Sequence, residues 1–126
     1  MIGYITLGSN NIPEATKFYD ALFQDIGAER VYTYDTFMAW RLAESTPMFS
    51  IVKPFDGNTA SIGNGVMIGL EAKNPDHVNS LHAKALSLGA ENEGDPGMRA
   101  GNYYCAYFRD LDGNKLNFHC ICEASQ

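Results

Sequence analysis

One pattern occurs twice in this chain, and that repetition limits the folds open to it. The first copy starts with "GYITLGS", where Ile5 and Leu7 fall on one face and Tyr4 and Thr6 on the other. Such alternation reads as a strand. "NNIPEATKFYDALFQDIG" follows and reads as a helix. Ile12, Ala15, Phe18, Tyr19, Leu22, Phe23 and Ile26 form its apolar stripe. Asn11 is placed to cap it, with Glu14 three residues on in the manner of a capping box. Pro13 falls in the first turn, where a missing N–H costs little, and Gly27 suits the end. Three strand-like pieces come next: "RVYTYD", "FMAWRLA" and "MFSIVKP". Residues 54–65, rich in Gly, Asn and Ser, read as a linker.

The pattern then restarts. "GVMIGLEA" reads as a strand and "NPDHVNSLHAKALSLG" as a helix with Val78, Leu81, Ala85, Leu86 and Leu88 on its apolar side. "GDPGMRAGN" reads as a loop, "YYCAYFRD" as a strand, "LDGN" as a turn and "KLNFHCIC" as a final strand. The spacing between copies holds: 63 residues from Tyr4 to Met67, 62 from Gly27 to Gly89, and 67 from Ser50 to Asn117. The helix ends even match in letters, "IGAE" and "LGAE". The expected fold class is therefore α+β: two βαβββ modules, about 1–58 and 63–123, in one domain spanning 1–126. Each module is too small to hide its sheet alone. A helix covers one sheet face, and the opposite face is left concave.

Alternation then sorts the side chains. The helix side should hold Ile5, Leu7, Phe49, Ile51, Val66, Ile68, Leu70, Leu116, Phe118 and Cys120, all apolar. The other face should hold Tyr4, Thr6, Ser50, Val52, Met67, Gly69, Asn117 and His119. A register slip of one residue would bury Asn117 and His119 against the helix. The mixed second set suits a pocket, with Arg99 and Arg41 as cations at its rim and Trp40, Met38 and Met67 as an apolar wall.

Three stretches carry a family resemblance: "YITLGSNNIPEATKFYDALF", "HVNSLHAKALSLGAENEGDPG" and, most specifically, "YYCAYFRDLDGNKLNF". The chain resembles the glyoxalase/bleomycin resistance protein/dioxygenase superfamily, also called vicinal oxygen chelate. The resemblance implies paired βαβββ modules whose sheets curl into a cup, commonly in a homodimer. It also implies a divalent metal in the cup, held by the first and last strands of each module. Carried over, those slots are Tyr4, Ser50, Met67 and Asn117, where the family usually has His, Glu or Gln. This is the main departure. A divalent ion wants imidazole, carboxylate or thiolate. A phenol must first lose a proton that it holds to about pH 10, and thioether and amide are weak ligands. No metal and no other cofactor is expected, and the four slots read as degenerate. Without a metal, extradiol cleavage and metal-assisted isomerisation lose their Lewis acid.

Other features are weaker. "DLDGN" superficially suggests a calcium loop, but counting from Asp110 puts Gly113 fourth and Ile121 twelfth, where an EF-hand needs Gly sixth and Glu twelfth. A hairpin turn is the better reading. His77 and His82 are five apart on a helix, about 140° around its axis, and are expected at the surface or its boundary. Cys105, Cys120 and Cys122 lack zinc spacing and read as reduced thiols of a cytoplasmic protein.

Net charge of −6 argues against nucleic acid, whose phosphates call for a basic face. No stretch approaches a membrane span, and "MIGYITLGSNN" does not look like a secretory leader. Three functions stay open. The first is a metal-free cup that binds a small organic molecule through Tyr4, Thr6, Ser50, Met67, Arg99, Asn117 and His119. The second is a glyoxalase-like lyase or isomerase with Tyr4 and His119 as acid and base. The third is a structural or regulatory homodimer with a vestigial cup.

Overall fold

The computed structural model describes residues 1–122, so the expected end of the second module near 123 lies outside the described residues. Two units are present, Met1–Gly63 and a second beginning at Asn64. In the first, the elements are β1 (Tyr4–Gly8), α1 (Ile12–Gln24), β2 (Glu29–Tyr34), β3 (Phe37–Arg41) and β4 (Met48–Val52). They form a sheet of order β1-β4-β3-β2. β1 runs parallel to β4, and the remaining pairs are antiparallel. The parallel pair follows from connectivity, because a parallel partner needs a long crossover and α1 with two strands supplies it.

α1 packs on β2, β3 and β4. Its stripe buries Phe18, Tyr19, Leu22 and Phe23 against Trp40, Phe49 and Ile51. The rings of Tyr19 and Phe49 lie 4.8 Å apart, and Phe23 meets Trp40 edge-on at 5.6 Å. Trp40 pairs with Phe49 in register and Met38 with Ile51, so both residues stand on the helix side. This corrects their expected place in the pocket wall. The Trp40 indole N–H is satisfied within the same layer, donating to Asp20 Oδ1 at 2.9 Å, and Arg30 holds the same carboxylate. The α1 cap is as expected on one side only. Asn11 Oδ1 accepts from the Glu14 N–H at 3.2 Å. The return half of the expected box is filled by Ser9, whose hydroxyl accepts from the Asn11 N–H at 3.1 Å.

The second unit holds β5 (Ile68–Glu71), α2 (Pro75–Ser87), β6 (Glu91–Met98), β7 (Tyr103–Arg109) and β8 (Lys115–Ile121). Its sheet repeats the first topology, β5-β8-β7-β6, with β5 parallel to β8. α2 packs on β6, β7 and β8. Val78, Leu81 and Ala85 are buried there with Phe108, Leu116 and Phe118. Phe108 and Phe118 stack at 5.1 Å. In the β7–β8 turn the Asp110 carboxylate accepts from the Asp112 and Asn114 N–H groups, each at 2.9 Å. Both bonds end on Oδ1, and Oδ2 accepts from the Asn114 side-chain amide at 3.2 Å.

Three expectations change here. "GVMIGLEA" is a strand only from Ile68, where the ladder with Leu116 begins; Val66 and Met67 precede it and are exposed. "GDPGMRAGN" is largely strand: β6 runs through it to Met98 as the sheet's outer strand, with register shifts around Gly94 and Gly97. Pro96 is tolerated because an edge strand can skip a ladder bond at a bulge. His82 is buried and not at the surface. It neighbours Leu81 on the packed side of α2, and its Nε2 meets the Tyr107 carbonyl at 3.0 Å.

Candidate functional site

In each unit the sheet face opposite the helix carries polar side chains together with tyrosines. In the first unit, Thr6, Ser50, Ala39 and Tyr32 form one row across the strands. Tyr4 sits further along β1 and is 61% exposed. Ser50 is fully buried in this row, and its hydroxyl has no hydrogen-bond partner among the described residues. The rings of Tyr32 and Tyr34 stack at the row's outer end, 6.4 Å apart. Arg41 lies on β3 and is half-buried.

The second unit gathers more chemistry. One row runs Gly69, Asn117, Tyr107, Gly94. The next runs Glu71, His119, Cys105, Gly97. Asn117 and His119 are two apart on β8, so they stand on the same face. Asn117 Oδ1 lies 3.1 Å from His119 Nδ1. An amide oxygen can only accept, so Nδ1 is the donor, and Nε2 of the neutral ring is left as a lone-pair acceptor. Gly69 makes room for the pair. A Cβ there would lie 3.1 Å from Asn117 Oδ1 and 3.3 Å from His119 Cε1. Tyr103 flanks the imidazole with ring centroids 6.0 Å apart. His119 also lines a recess of about 250 Å³ with Glu71, Ala72, Lys73, Cys120 and Ile121.

Tyr107 is the centre of this face and was not singled out from the sequence. Its signal was present: alternation in "YYCAYFRD" puts Tyr103, Cys105 and Tyr107 on the face of His119. Burial, and then the neighbouring Cys105 thiol, raise the phenol above the ordinary tyrosine value of 10.0, while Arg99 and the Asn117 amide pull it down. The Arg99 guanidinium carbon stands 5.4 Å from the Tyr107 ring centre and Lys115 Nζ 5.5 Å from it. Arg99 follows β6 directly and folds back along it, which a free loop would not do. Burial, ahead of the neighbouring Cys122 and Cys105 thiols, raises the Cys120 thiol. Cys105 and Cys120 are buried, and all three cysteines are free.

A larger recess, about 410 Å³, lies in the first unit between the start of α1 and the 54–59 loop. Polar groups at its rim hold that loop. Asn10 clamps Ala60 through both amide atoms, at 2.7 and 3.1 Å, and Asp56 accepts from the Asn58 N–H. It brings together no imidazole or thiol, so the Asn117–His119 face is the better candidate.

The residues at the four slots do not fit a divalent metal. Met67 stands off the strand and is 41% exposed. Tyr4 offers a phenol, Ser50 a hydroxyl, and Asn117 an amide oxygen already turned to His119. Among the described residues no three His, Cys, Asp or Glu side chains converge. No helix among them is long and apolar enough to cross a membrane.

No family model matches the chain, and no curated protein does. Solved structures do match. A glyoxalase/bleomycin resistance protein from Albidiferax ferrireducens T118 is 32% identical, with a TM-score of 0.86 over 94% of this chain and 97% of that one. A glyoxalase/bleomycin resistance protein/dioxygenase family enzyme from Burkholderia phytofirmans PsJN is 14% identical, with a TM-score of 0.77 over 95% of this chain and 98% of that one. A lactoylglutathione lyase from Agrobacterium tumefaciens is 17% identical, with a TM-score of 0.69 over 94% of this chain and 92% of that one. The last two share the fold. With the identity and near-complete coverage of the first, the chain belongs to the glyoxalase/bleomycin resistance protein family.

Proposed function

We propose that the open face of the second unit binds a small organic molecule, and that it does so without a resident metal. The observation that carries this reading is the Asn117–His119 pair over Gly69. A slot that would hold an ion in a metal-dependent relative here holds an amide engaged with an imidazole. What remains is a set of directional donors and acceptors beside aromatic rings, which is the usual make-up of a ligand site. Tyr4, Thr6 and Ser50 are proposed as a second, separate set of contacts on the first unit. The unpartnered Ser50 hydroxyl supports this, since a buried hydroxyl is costly without an acceptor. Free thiols fit a reducing cytoplasm, and a homodimer is the proposed assembly, to be read by light scattering.

A thermal-shift screen of small metabolites in the presence of chelator tests the binding reading, because a ligand of the native state raises the melting temperature. Hits that persist with chelator and disappear in His119→Ala support it. A broad set without hits would leave the vestigial dimer as the better account.

A second reading is favoured by one detail. The hydrogen bond to Asn117 leaves His119 Nε2 unprotonated in the neutral ring, which is the state a general base needs. A lyase or isomerase using His119 in that role would turn over its substrate in chelator. It would lose turnover in His119→Ala while still binding.

A further inference from the structure

We propose that the second unit's open face takes an organic oxyanion, held beside Tyr107, where Arg99 and Lys115 both approach the ring. This rests on the binding reading above and adds the ligand's charge. The chain carries net charge −6, yet two cations converge on one ring here, at 5.4 and 5.5 Å from its centre. Among the described residues neither is in an ion pair. The nearby carboxylates of β6 are turned elsewhere. Asp95 accepts from the Asn92 amide at 2.7 Å, and Glu93 pairs with Arg109 at 3.0 Å. Among the described residues both cations thus stand beside one ring without a carboxylate partner, and a bound anion supplies that countercharge.

Arg99 is also held in place. Its Nη2 donates to the Asp95 carbonyl at 2.7 Å and its Nη1 to the Met98 carbonyl at 3.3 Å. A guanidinium carries five N–H donors in a planar fork, so donors remain for a ligand without new ordering of the side chain. The two glycines of β6 form the bed on which this stands. A Cβ at Gly97 would lie 3.0 Å from Arg99 Nη1, and one at Gly94 would lie 2.9 Å from Tyr107 Cδ1. Larger residues there would push the guanidinium and the ring apart. The phenol, held in its protonated form at neutral pH, adds a neutral donor beside the two cations.

Carboxylates and phosphate esters share this chemistry, and titration separates them. The probes are benzoate, its neutral counterpart benzamide, and inorganic phosphate, followed by NMR in low-chloride buffer. Wild type is compared with an Arg99→Gln/Lys115→Gln double variant, with Lys17→Gln on α1 of the first unit as a charge-matched control. The expected result is that benzoate or phosphate shifts the Tyr107 ring signals of the wild type. Benzamide should bind at least about tenfold more weakly than benzoate, and the double variant should lose about tenfold or more in affinity for the anion. Benzoate alone binding identifies a carboxylate site, and phosphate alone a phosphate-ester site. Benzamide binding as well as benzoate, or anion binding unchanged in the folded double variant, overturns the charge assignment and leaves the binding reading standing. Neither anion binding, while the metabolite screen still gives chelator-resistant hits, also overturns it alone. Neither anion and no hits remove both.

Discussion

Gly69 decides whether the Asn117–His119 pair can exist, because its missing Cβ leaves the space the two side chains fill. Gly69→Ala should push Asn117 Oδ1 and His119 aside. A cost of about 1–3 kcal/mol in urea unfolding is expected, together with a change in the imidazole nitrogen shifts that report the tautomer. Unchanged shifts would mean that the pair does not depend on this space. Tyr107 gives a pH test. Its proton is bound more tightly in the folded chain than in the unfolded one, so its contribution to stability is fully present below the unfolded value near 10 and fades as pH rises through the higher folded value. Tyr107→Phe should flatten the fall in stability above pH 10. A slope as steep as wild type would assign that fall to other groups. Period-two alternation made Asn117 and His119 legible in the sequence. The role of Tyr107 was not, because Arg99 is brought to its ring by a backbone path that no local periodicity encodes.

At the scale of elements, both helices start in the same way. Asn11 Oδ1 takes the Glu14 N–H, and Asn74 Oδ1 takes the His77 N–H at 2.8 Å. Each has proline in its first turn. Asn11→Ala and Asn74→Ala should each cost about 1 kcal/mol, read from denaturant midpoints. A loss near zero for either would mean water replaces that cap. Both helices and the Asn11 cap were legible because apolar stripes, terminal glycines and, for α1, a capping residue agree with one another; the Asn74 cap was not singled out. β6 was not. Its "GDPG" has turn composition, and only pairing with β7 makes it a strand. β5 was read too long, because apolar alternation in "GVMIG" runs past the point where β8 offers a partner. His82, expected at the surface or its boundary, is buried because the Tyr107 carbonyl gives its ring a partner inside.

At the scale of the whole molecule, one pattern of strands and one helix is built twice, and each copy has its own core under its own helix. The repeat made this architecture readable, since two copies of one βαβββ order leave few alternatives. Function was less readable, because Tyr4, Ser50, Met67 and Asn117, the positions that the resemblance marks as metal slots, carry no imidazole, carboxylate or thiolate. The central claim is that this chain works without a resident metal, and elemental analysis of protein purified without chelator tests it most directly. The account predicts transition metals far below one equivalent per chain, and a melting temperature unmoved by chelator. One tightly held equivalent per chain, with a drop in melting temperature when it is stripped, would contradict it.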